Sequence, residues 1–250
     1  MSDKKPSIIS NIKKGISKIT SNAVNLPFSK KKGMKAVILG ATGLTGSHLL
    51  NQLLEDSDFK KVVVLTRRSL EKTHPKLEEH LVDLLNLETH AKLFKADVVF
   101  CCVGTTRAKT PDKDLYRRID YGIPVEAAQL SKQHNVSKYI VISAIGANPK
   151  SRAFYNRLKG EMERDVLAEN IAETYLLQPS LIVGDRNEKR FGEDSAKIVM
   201  RIFDFLIPKK QKIIQAETIA KAMVYLAKNK YKHPIITSDK IKDLAEIHED

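Results

Sequence analysis

The sequence has few cysteines and no long apolar run. Its two cysteines, Cys101 and Cys102, are neighbours in a chain of 250 residues, and adjacent cysteines rarely pair, which points to a reducing compartment. No apolar run approaches the ~20 residues that a membrane-spanning helix needs, so we expect a soluble body. A chain of this length can bury a substantial core in one domain without disulfides or metals.

Acidic residues are scarce at the start of the chain, and this skews the charge. Residues 1–33 hold eight lysines and one aspartate, a charge of +7, whereas the other 217 residues contribute +6 of the total +13. The body also lacks the interleaved basic and aromatic residues of a nucleic-acid groove, so we expect no nucleic-acid partner.

Residues 1–33 are predicted to be an extension that is separate from a domain at 34–250. Its isoleucines at 8, 9, 12, 16 and 19 recur with helical spacing between lysines, which predicts a short basic amphipathic helix. Three interpretations stay open: attachment to an anionic membrane surface, a tail that packs on the body or stays disordered, and a mitochondrial targeting peptide. We expect a cytoplasmic protein, with peripheral membrane attachment and mitochondrial targeting as the alternatives.

A glycine-rich turn follows the first predicted strand of the body. The apolar run at 36–39 breaks at Gly40, and leucines at helical spacing follow from Leu44, so the segment is predicted to be strand, tight turn and helix. Gly40 permits the sharp exit from the strand, Gly43 lets backbone approach a diphosphate, and Gly46 lets the helix pack on the strand. Free N–H groups at the helix start would face the anion. A purely structural strand–turn–helix unit could use the same glycines.

Strands and helices alternate along the rest of the body. Strands are predicted at 61–65, around 80–83, at 96–104, 138–143 and 234–237, and helices at 86–95, 116–134, 152–168, 195–206, 218–227 and from 238 onward. Such alternation with short connections predicts an α/β fold with a doubly wound parallel sheet. Ligands of these sheets bind beyond the carboxyl ends of the strands.

Several residues after the predicted strands are candidates for binding a dinucleotide. Where an NAD-preferring site has a carboxylate, this chain has Arg67 and Arg68, which favour the 2′-phosphate of NADP, although a solvated basic turn is the alternative. Asp83 stands where such folds place a residue beside the adenine, or it caps the next helix. Gly104 and Thr105 are expected to border the middle of the cofactor.

A serine and a Tyr-x-x-x-Lys pair form the candidate catalytic group. Ser143 ends the fifth predicted strand, Tyr155 follows twelve residues later, and Lys159 comes four residues after that. Residues at i and i+4 share a helix face, so the ammonium can lower the pKa of the phenol from its ordinary value near ~10. The Ser143 hydroxyl can hydrogen-bond a reacting carbonyl oxygen. Each motif alone is weak, but the three in this order are a strong signal of catalysis.

The motifs together resemble the short-chain dehydrogenase/reductase superfamily, in its atypical branch, and more narrowly the Tat-interacting-protein oxidoreductase group. The resemblance spans residues 35–230 and is carried by Gly40-Ala-Thr-Gly43-Leu-Thr-Gly46, Cys101-Cys-Val-Gly-Thr-Thr-Arg107, Asp120-Tyr-Gly-Ile-Pro-Val-Glu-Ala-Ala128 and Tyr155-Asn-Arg-Leu-Lys-Gly-Glu161. It implies a Rossmann fold, a small C-terminal substrate portion, and NADP(H) in preference to NAD(H). It also implies cofactor contacts at Gly40, Thr42, Gly43, Leu44, Thr45, Arg67, Arg68, Tyr155, Lys159 and Pro179.

The resemblance also implies roles for the catalytic group. Tyr155 would donate a proton to a carbonyl oxygen, Lys159 would hold the nicotinamide ribose and tune Tyr155, and Ser143 would orient the substrate. Asp120 stands where many relatives have an asparagine that supports a water relay, so the relay stays open. Helices flanking the tyrosine often form dimer faces in relatives, so a homodimer stays open too.

The sequence therefore predicts an NADPH-dependent oxidoreductase that reduces a small carbonyl compound. One alternative is a non-catalytic protein that binds NADPH and regulates a partner or docks to a membrane, because a fold does not fix a function. The other alternative is an epimerase or dehydratase that holds its cofactor tightly.

Overall fold

The computed structural model describes residues 33–184 and 213–247. The amphipathic helix predicted in the N-terminal extension and the helix predicted at 195–206 lie outside the described residues. Within the described ranges, no helix is long and apolar enough to cross a membrane.

Seven parallel strands form the central sheet. In spatial order they are β3 (Leu77–Leu81), β2 (Phe59–Thr66), β1 (Met34–Leu39), β4 (Val98–Cys101), β5 (Lys138–Ile142), β6 (Glu173–Gln178) and β9 (Ile235–Thr237). A separate pair joins β7 (Leu181–Val183) to β8 (Ile213–Gln215), also in parallel. The chain order reverses at β1, whose neighbours are β2 and β4. Ligands of open α/β sheets bind at such a switch point.

Helices cover both faces of the sheet. They are α1 (Leu44–Glu55), α2 (Lys113–Arg117), α3 (Ile123–Gln133), α4 (Phe154–Ala168), α5 (Ala216–Lys228) and α6 (Ser238–Ile247), with a 3₁₀ segment at Leu87–Phe94 and a π-turn at Arg118–Gly122. Alternate residues of β1 enter two separate cores: Ala36 and Ile38 pack with α1, α5 and α6, whereas Val37 and Leu39 pack with α3 and α4. The predicted doubly wound sheet is confirmed.

The third strand differs from its predicted position. β3 begins at Leu77, three residues before the predicted start, and contains Glu78, Glu79 and His80. It is an edge strand of the sheet, where polar side chains are tolerated. Glu78 pairs there with Lys61 and His80, so the strand does not show the apolar pattern on which the prediction relied.

The segment after β3 was predicted to be an α-helix and is a 3₁₀ segment. His90 has non-helical angles, φ −116° and ψ 17°, which divide the segment into two short turns. Short turns of this kind commonly adopt 3₁₀ geometry.

Candidate active site

The glycine turn after β1 is packed too closely for other residues at two positions. Gly40 has a φ of +84°, and a Cβ on it would lie 2.7 Å from the carbonyl carbon of Cys102. A Cβ on Gly46 would lie 2.2 Å from the carbonyl oxygen of Gly40. The Gly43 N–H donates to that oxygen at 3.0 Å. The turn therefore brings the start of α1 directly against the end of β1.

The N-terminus of α1 is suited to an anion. Its N-cap residue, Gly43, has no capping side chain, and the first turn contains no acidic residue. The first N–H groups of a helix have no intrahelical partner and attract negative charge. Thr42 is exposed, Leu44 is half-buried and Thr45 is buried. These residues fit the diphosphate of a dinucleotide.

Replacing Gly46 with alanine is expected to lower the free energy of unfolding by about 1–3 kcal/mol, because the new Cβ overlaps backbone that cannot move aside. The matched control is Gly122→Ala, where the nearest atom to a new Cβ is 4.0 Å away. Its unfolding free energy should stay within about 0.5 kcal/mol of wild type. Urea denaturation measures both variants. Equal losses would show that the contact between Gly46 and Gly40 does not constrain the turn.

The turn after β2 presents the two arginines to solvent. The Thr66 hydroxyl donates to the carbonyl oxygen of Arg68 at 2.8 Å and fixes the backbone of the turn. Arg67 and Arg68 are both exposed, and no carboxylate of the described residues pairs with either guanidinium. Both arginines thus keep their charge available for a ligand.

Asp83 is exposed and makes a local turn. Its Oδ1 accepts the N–H of Leu85 at 3.0 Å, whereas the N-cap of the following 3₁₀ segment is Asn86. The capping interpretation of Asp83 is therefore wrong. Its predicted place beside an adenine stays a prediction.

A π-turn places Asp120 in the site. The sequence predicted one helix over 116–134, but Pro124 has no N–H to donate to the carbonyl of Asp120. The N–H of Ile123 reaches back five residues to the carbonyl of Arg118. Such single-turn widenings often lie at functional sites. Here the turn carries the Asp120 side chain, which is 1% exposed.

Asp120 connects the loop after β4 with α4. One carboxylate oxygen accepts the N–H of Thr105 at 2.8 Å, and the other lies 3.4 Å from Lys159 Nζ. The Asp120 and Lys159 side chains are 2% and 3% exposed. Burial raises the pKa of Asp120, against the opposing effects of Lys159 and the Thr105 N–H. A buried ion pair thus ties the loop that contains exposed Gly104 and half-buried Thr105 to α4.

Tyr155 lies in the first turn of α4, one turn before Lys159. Burial raises the pKa of the Tyr155 phenol, and the charge of Asp120 raises it further. The prediction that Lys159 lowers the pKa of Tyr155 is therefore wrong for this arrangement, since Asp120 partners the ammonium. A second tyrosine, Tyr116, stacks edge-on against Phe154 with ring centroids 5.8 Å apart. Burial and the charge of Asp120 raise the pKa of Tyr116 too.

Ser143 follows directly after β5, and its buried hydroxyl has no hydrogen-bond partner among the described residues. Its own N–H donates to the carbonyl of Leu177 at 2.7 Å, and the N–H of Ile145 donates to the carbonyl of Pro179 at 3.0 Å. The turns after β5 and β6 are therefore joined, which brings Pro179 beside the serine loop. Lys159 Nζ also lies 3.4 Å from the carbonyl of Ile142, the residue before Ser143.

Sequence reasoning missed one buried charged residue in this region. Glu163 is 7% exposed and lies on α4 one turn after Lys159. The spacing of four residues from Tyr155 to Lys159 to Glu163 was the available signal, since it continues one helix face. A glutamate on an amphipathic helix more often lies on the solvent face, so the sequence alone did not identify Glu163 as buried.

Comparison with known proteins assigns the chain to a family. A family model described as NAD(P)H-binding matches residues 40–183, which is 144 of 250 residues. The chain belongs to this NAD(P)H-binding family. The matched range begins at the glycine turn and ends with β7, so it includes all the predicted cofactor and catalytic residues.

Curated relatives place the protein more narrowly within the NAD(P)H-binding family. Protein FMP52-1, mitochondrial, of Scheffersomyces stipitis is 35% identical over 162 residues, 63% of this chain and 71% of that protein. Protein HTATIP2 of Rattus norvegicus is 33% identical over 168 residues, 66% of this chain and 69% of that protein. The resemblance to the Tat-interacting-protein group is confirmed. The name of the Scheffersomyces relative gives a mitochondrial location for that protein, and neither of these two names supports the predicted cytoplasmic location.

Solved structures of the same fold include enzymes bound to NAD. MoeE5 in complex with UDP-glucuronic acid and NAD has a TM-score of 0.64 at 17% identity, over 81% of this chain and 75% of that one. The UDP-glucose 4-epimerase of Thermotoga maritima with UDP-glucose has a TM-score of 0.64 at 15% identity, over 86% of this chain and 83% of that one. At these identities the similarity shows the fold alone. This member of the NAD(P)H-binding family thus shares the Rossmann fold of these structures.

Proposed function

We propose that the protein is an NADPH-dependent oxidoreductase that reduces a small carbonyl compound. The observation that supports the proposal is that Lys159, one turn after Tyr155 on α4, lies 3.4 Å from the carbonyl of Ile142, the residue before Ser143. Ser143, Tyr155 and Lys159 would supply what carbonyl reduction requires: a hydrogen-bond donor, a proton and a cation. The glycine turn, fit for a diphosphate, lies at the same carboxyl edge of the sheet.

The bound cofactor would supply a hydride to the carbonyl carbon. Tyr155 would give its phenolic proton to the carbonyl oxygen as negative charge develops there, a step worth about 10²–10⁴-fold when the donor is positioned. Because burial and Asp120 raise the pKa of Tyr155, the phenol holds this proton at neutral pH. Ser143 would donate its hydroxyl proton to the same oxygen and fix its direction.

Lys159 would hold a ribose hydroxyl of the cofactor. Its ammonium is buried and is held between Asp120 and the carbonyl of Ile142. Three donors on the ammonium allow a further bond beyond these two contacts. Asp120 would thereby position the lysine, with a carboxylate in place of the amide that many relatives have.

We further propose that NADPH is preferred over NADH. Arg67 and Arg68 are exposed after β2, at the strand end where an NAD site has a carboxylate, and arginine is matched to phosphate by its planar set of donors. A charge-assisted hydrogen bond contributes about 1.5–3 kcal/mol.

The Arg67→Ala/Arg68→Ala variant is expected to weaken NADPH binding about 10²-fold and NADH binding by less than about threefold, since only NADPH carries the 2′-phosphate. Calorimetric titration with each nucleotide measures this. Lys60→Ala/Lys95→Ala is the matched control, because it removes two exposed cations at the amino ends of β2 and β4. Equal losses for both nucleotides would exclude phosphate recognition by these arginines.

The same titration of the wild-type protein tests the proposed function. Micromolar NADPH binding, followed by NADPH oxidation with phenanthrenequinone or another reactive carbonyl probe, is the expected result. Binding of neither nucleotide would refute the proposal. A nucleotide that stays bound through dialysis, with no net oxidation, would instead favour epimerase or dehydratase chemistry.

A further inference from the structure

Glu163 is a buried carboxylate to which the proposed mechanism assigns no role. It lies on α4 one turn beyond Lys159 and two turns beyond Tyr155. The Gln178 side-chain amide, at the end of β6, donates to both of its oxygens at 2.9 and 3.0 Å. Burial of a carboxylate is costly unless its partners compensate for lost water. One amide does not fully replace that water, so the other polar groups near Glu163 affect which protonation state of the carboxyl is favoured.

Ser143 is the neighbour whose hydrogen bonding is incomplete. Ser143 is 3% exposed, and within residues 33–184 and 213–247 its hydroxyl has no hydrogen-bond partner. Its backbone N–H donates to the carbonyl of Leu177, which places Ser143 beside Gln178. Gln178 in turn contacts the Glu163 carboxylate, and the Ser143 hydroxyl lowers the pKa of that carboxyl. A hydroxyl has one proton to donate. That proton can point to Glu163 or to a substrate oxygen, but not to both.

We propose that Glu163 is a positioning residue that directs the hydroxyl proton of Ser143. An ionised Glu163 carboxylate attracts the proton and turns it away from the substrate. A neutral Glu163 carboxyl donates its own proton to Ser143 Oγ and leaves the serine proton for the carbonyl oxygen. The inference rests on the proposed role of Ser143 and deepens it.

The surroundings of Glu163 set the direction of the pH dependence. From α4 the charged group that faces it is Lys159, whose charge is shared with Asp120 of the π-turn; β5 and β6 contribute the neutral Ser143 and Gln178. Burial raises the pKa of Glu163, more than these three neighbours lower it. The neutral, substrate-competent form therefore persists above the usual range of a glutamate and is lost as the pH rises through the raised pKa.

A carboxyl titration tests the contact without any turnover. Carbon-detected NMR follows the Glu163 carboxyl, assigned by its loss in Glu163→Gln, in wild type and in Ser143→Ala. Removing a donor to the carboxylate should raise the pKa of Glu163 by about 0.5–1 unit, the equivalent of one hydrogen bond. An unchanged or lower pKa in Ser143→Ala would overturn the proposal.

The pH profile of kcat/KM separates positioning from a structural role. A glutamine at position 163 can accept a hydrogen bond from Gln178 and donate one to Ser143 Oγ, as the neutral carboxyl does, but it does not ionise. The fall in kcat/KM at alkaline pH that ionisation of Glu163 causes should therefore be absent in Glu163→Gln. Glu163→Ala should be about tenfold slower than Glu163→Gln, since it orients nothing. If both variants kept the alkaline fall, the proposal would be wrong. Absence of turnover in wild type, with the carboxyl shift intact, would instead refute the reductase function.

Discussion

Replacing Tyr155 with phenylalanine is expected to lower kcat by about 10²–10⁴-fold, because the proton donor is lost. The dissociation constant for NADPH should change by less than about threefold, since the removed group acts on the substrate. Single-turnover oxidation of bound NADPH by a carbonyl probe measures the first quantity, and calorimetric titration measures the second.

The fold should tolerate this substitution. Within the described residues, no side chain hydrogen-bonds the Tyr155 hydroxyl, so phenylalanine leaves no polar group without a partner. The phenylalanine ring occupies the space of the half-buried tyrosine ring. A loss of turnover in Tyr155→Phe can then be attributed to the missing hydroxyl rather than to unfolding.

Tyr121→Phe is the matched control for Tyr155→Phe. Tyr121 lies on the π-turn. Its hydroxyl donates to Asp165 on α4 at 2.8 Å rather than to the buried Asp120–Lys159 ion pair. Its loss should leave kcat within about twofold of wild type, as for a surface substitution. Retained turnover in Tyr155→Phe, or equal losses in the two variants, would remove Tyr155 as the proton donor.

Much of the fold could be predicted because its apolar patterns are local. Val62 to Leu65 are all buried in β2, as expected for a parallel strand covered on both faces. The glycine turn was predictable for a different reason. The positive φ of Gly40 and the close contacts at Gly40 and Gly46 exclude side chains, so glycine itself in the sequence indicates the turn.

The parts that could not be predicted depend on contacts distant in sequence. Asp120 and Lys159 are 39 positions apart, and the π-turn that brings them together arises from the missing N–H of Pro124. Glu163, on α4, is likewise buried against a partner from a different element, Gln178 at the end of β6. The direction of the pKa shift of Tyr155 follows from Asp120, so it was unavailable to reasoning from the spacing of Tyr155 and Lys159 alone.

Replacing Lys159 with methionine is expected to lower the free energy of unfolding by about 3–5 kcal/mol at neutral pH, because it leaves the Asp120 carboxylate buried without its cation. Methionine keeps most of the volume of the lysine stem, so packing changes little. Urea denaturation measures the loss.

The loss in Lys159→Met should depend on pH in a defined direction. Burial raises the pKa of Asp120, and without Lys159 nothing cationic opposes that rise. A carboxyl whose folded pKa exceeds its unfolded pKa binds more protons in the folded state, so stability falls as the pH increases between the two values, by up to about 1.36 kcal/mol per pH unit. Unfolding at about pH 5 should thus show a smaller loss than at about pH 8.

The double variant Lys159→Met/Asp120→Asn separates the structural and catalytic roles of the pair. It contains no buried charge, and the asparagine can still accept the Thr105 N–H, so most of the stability lost in Lys159→Met should return. Turnover should not return, since no cation remains to hold the ribose. Recovery of both would mean that Lys159 only balances the charge of Asp120. A double variant no more stable than Lys159→Met would mean that the two side chains are not coupled, and the proposed positioning of Lys159 by Asp120 would fail.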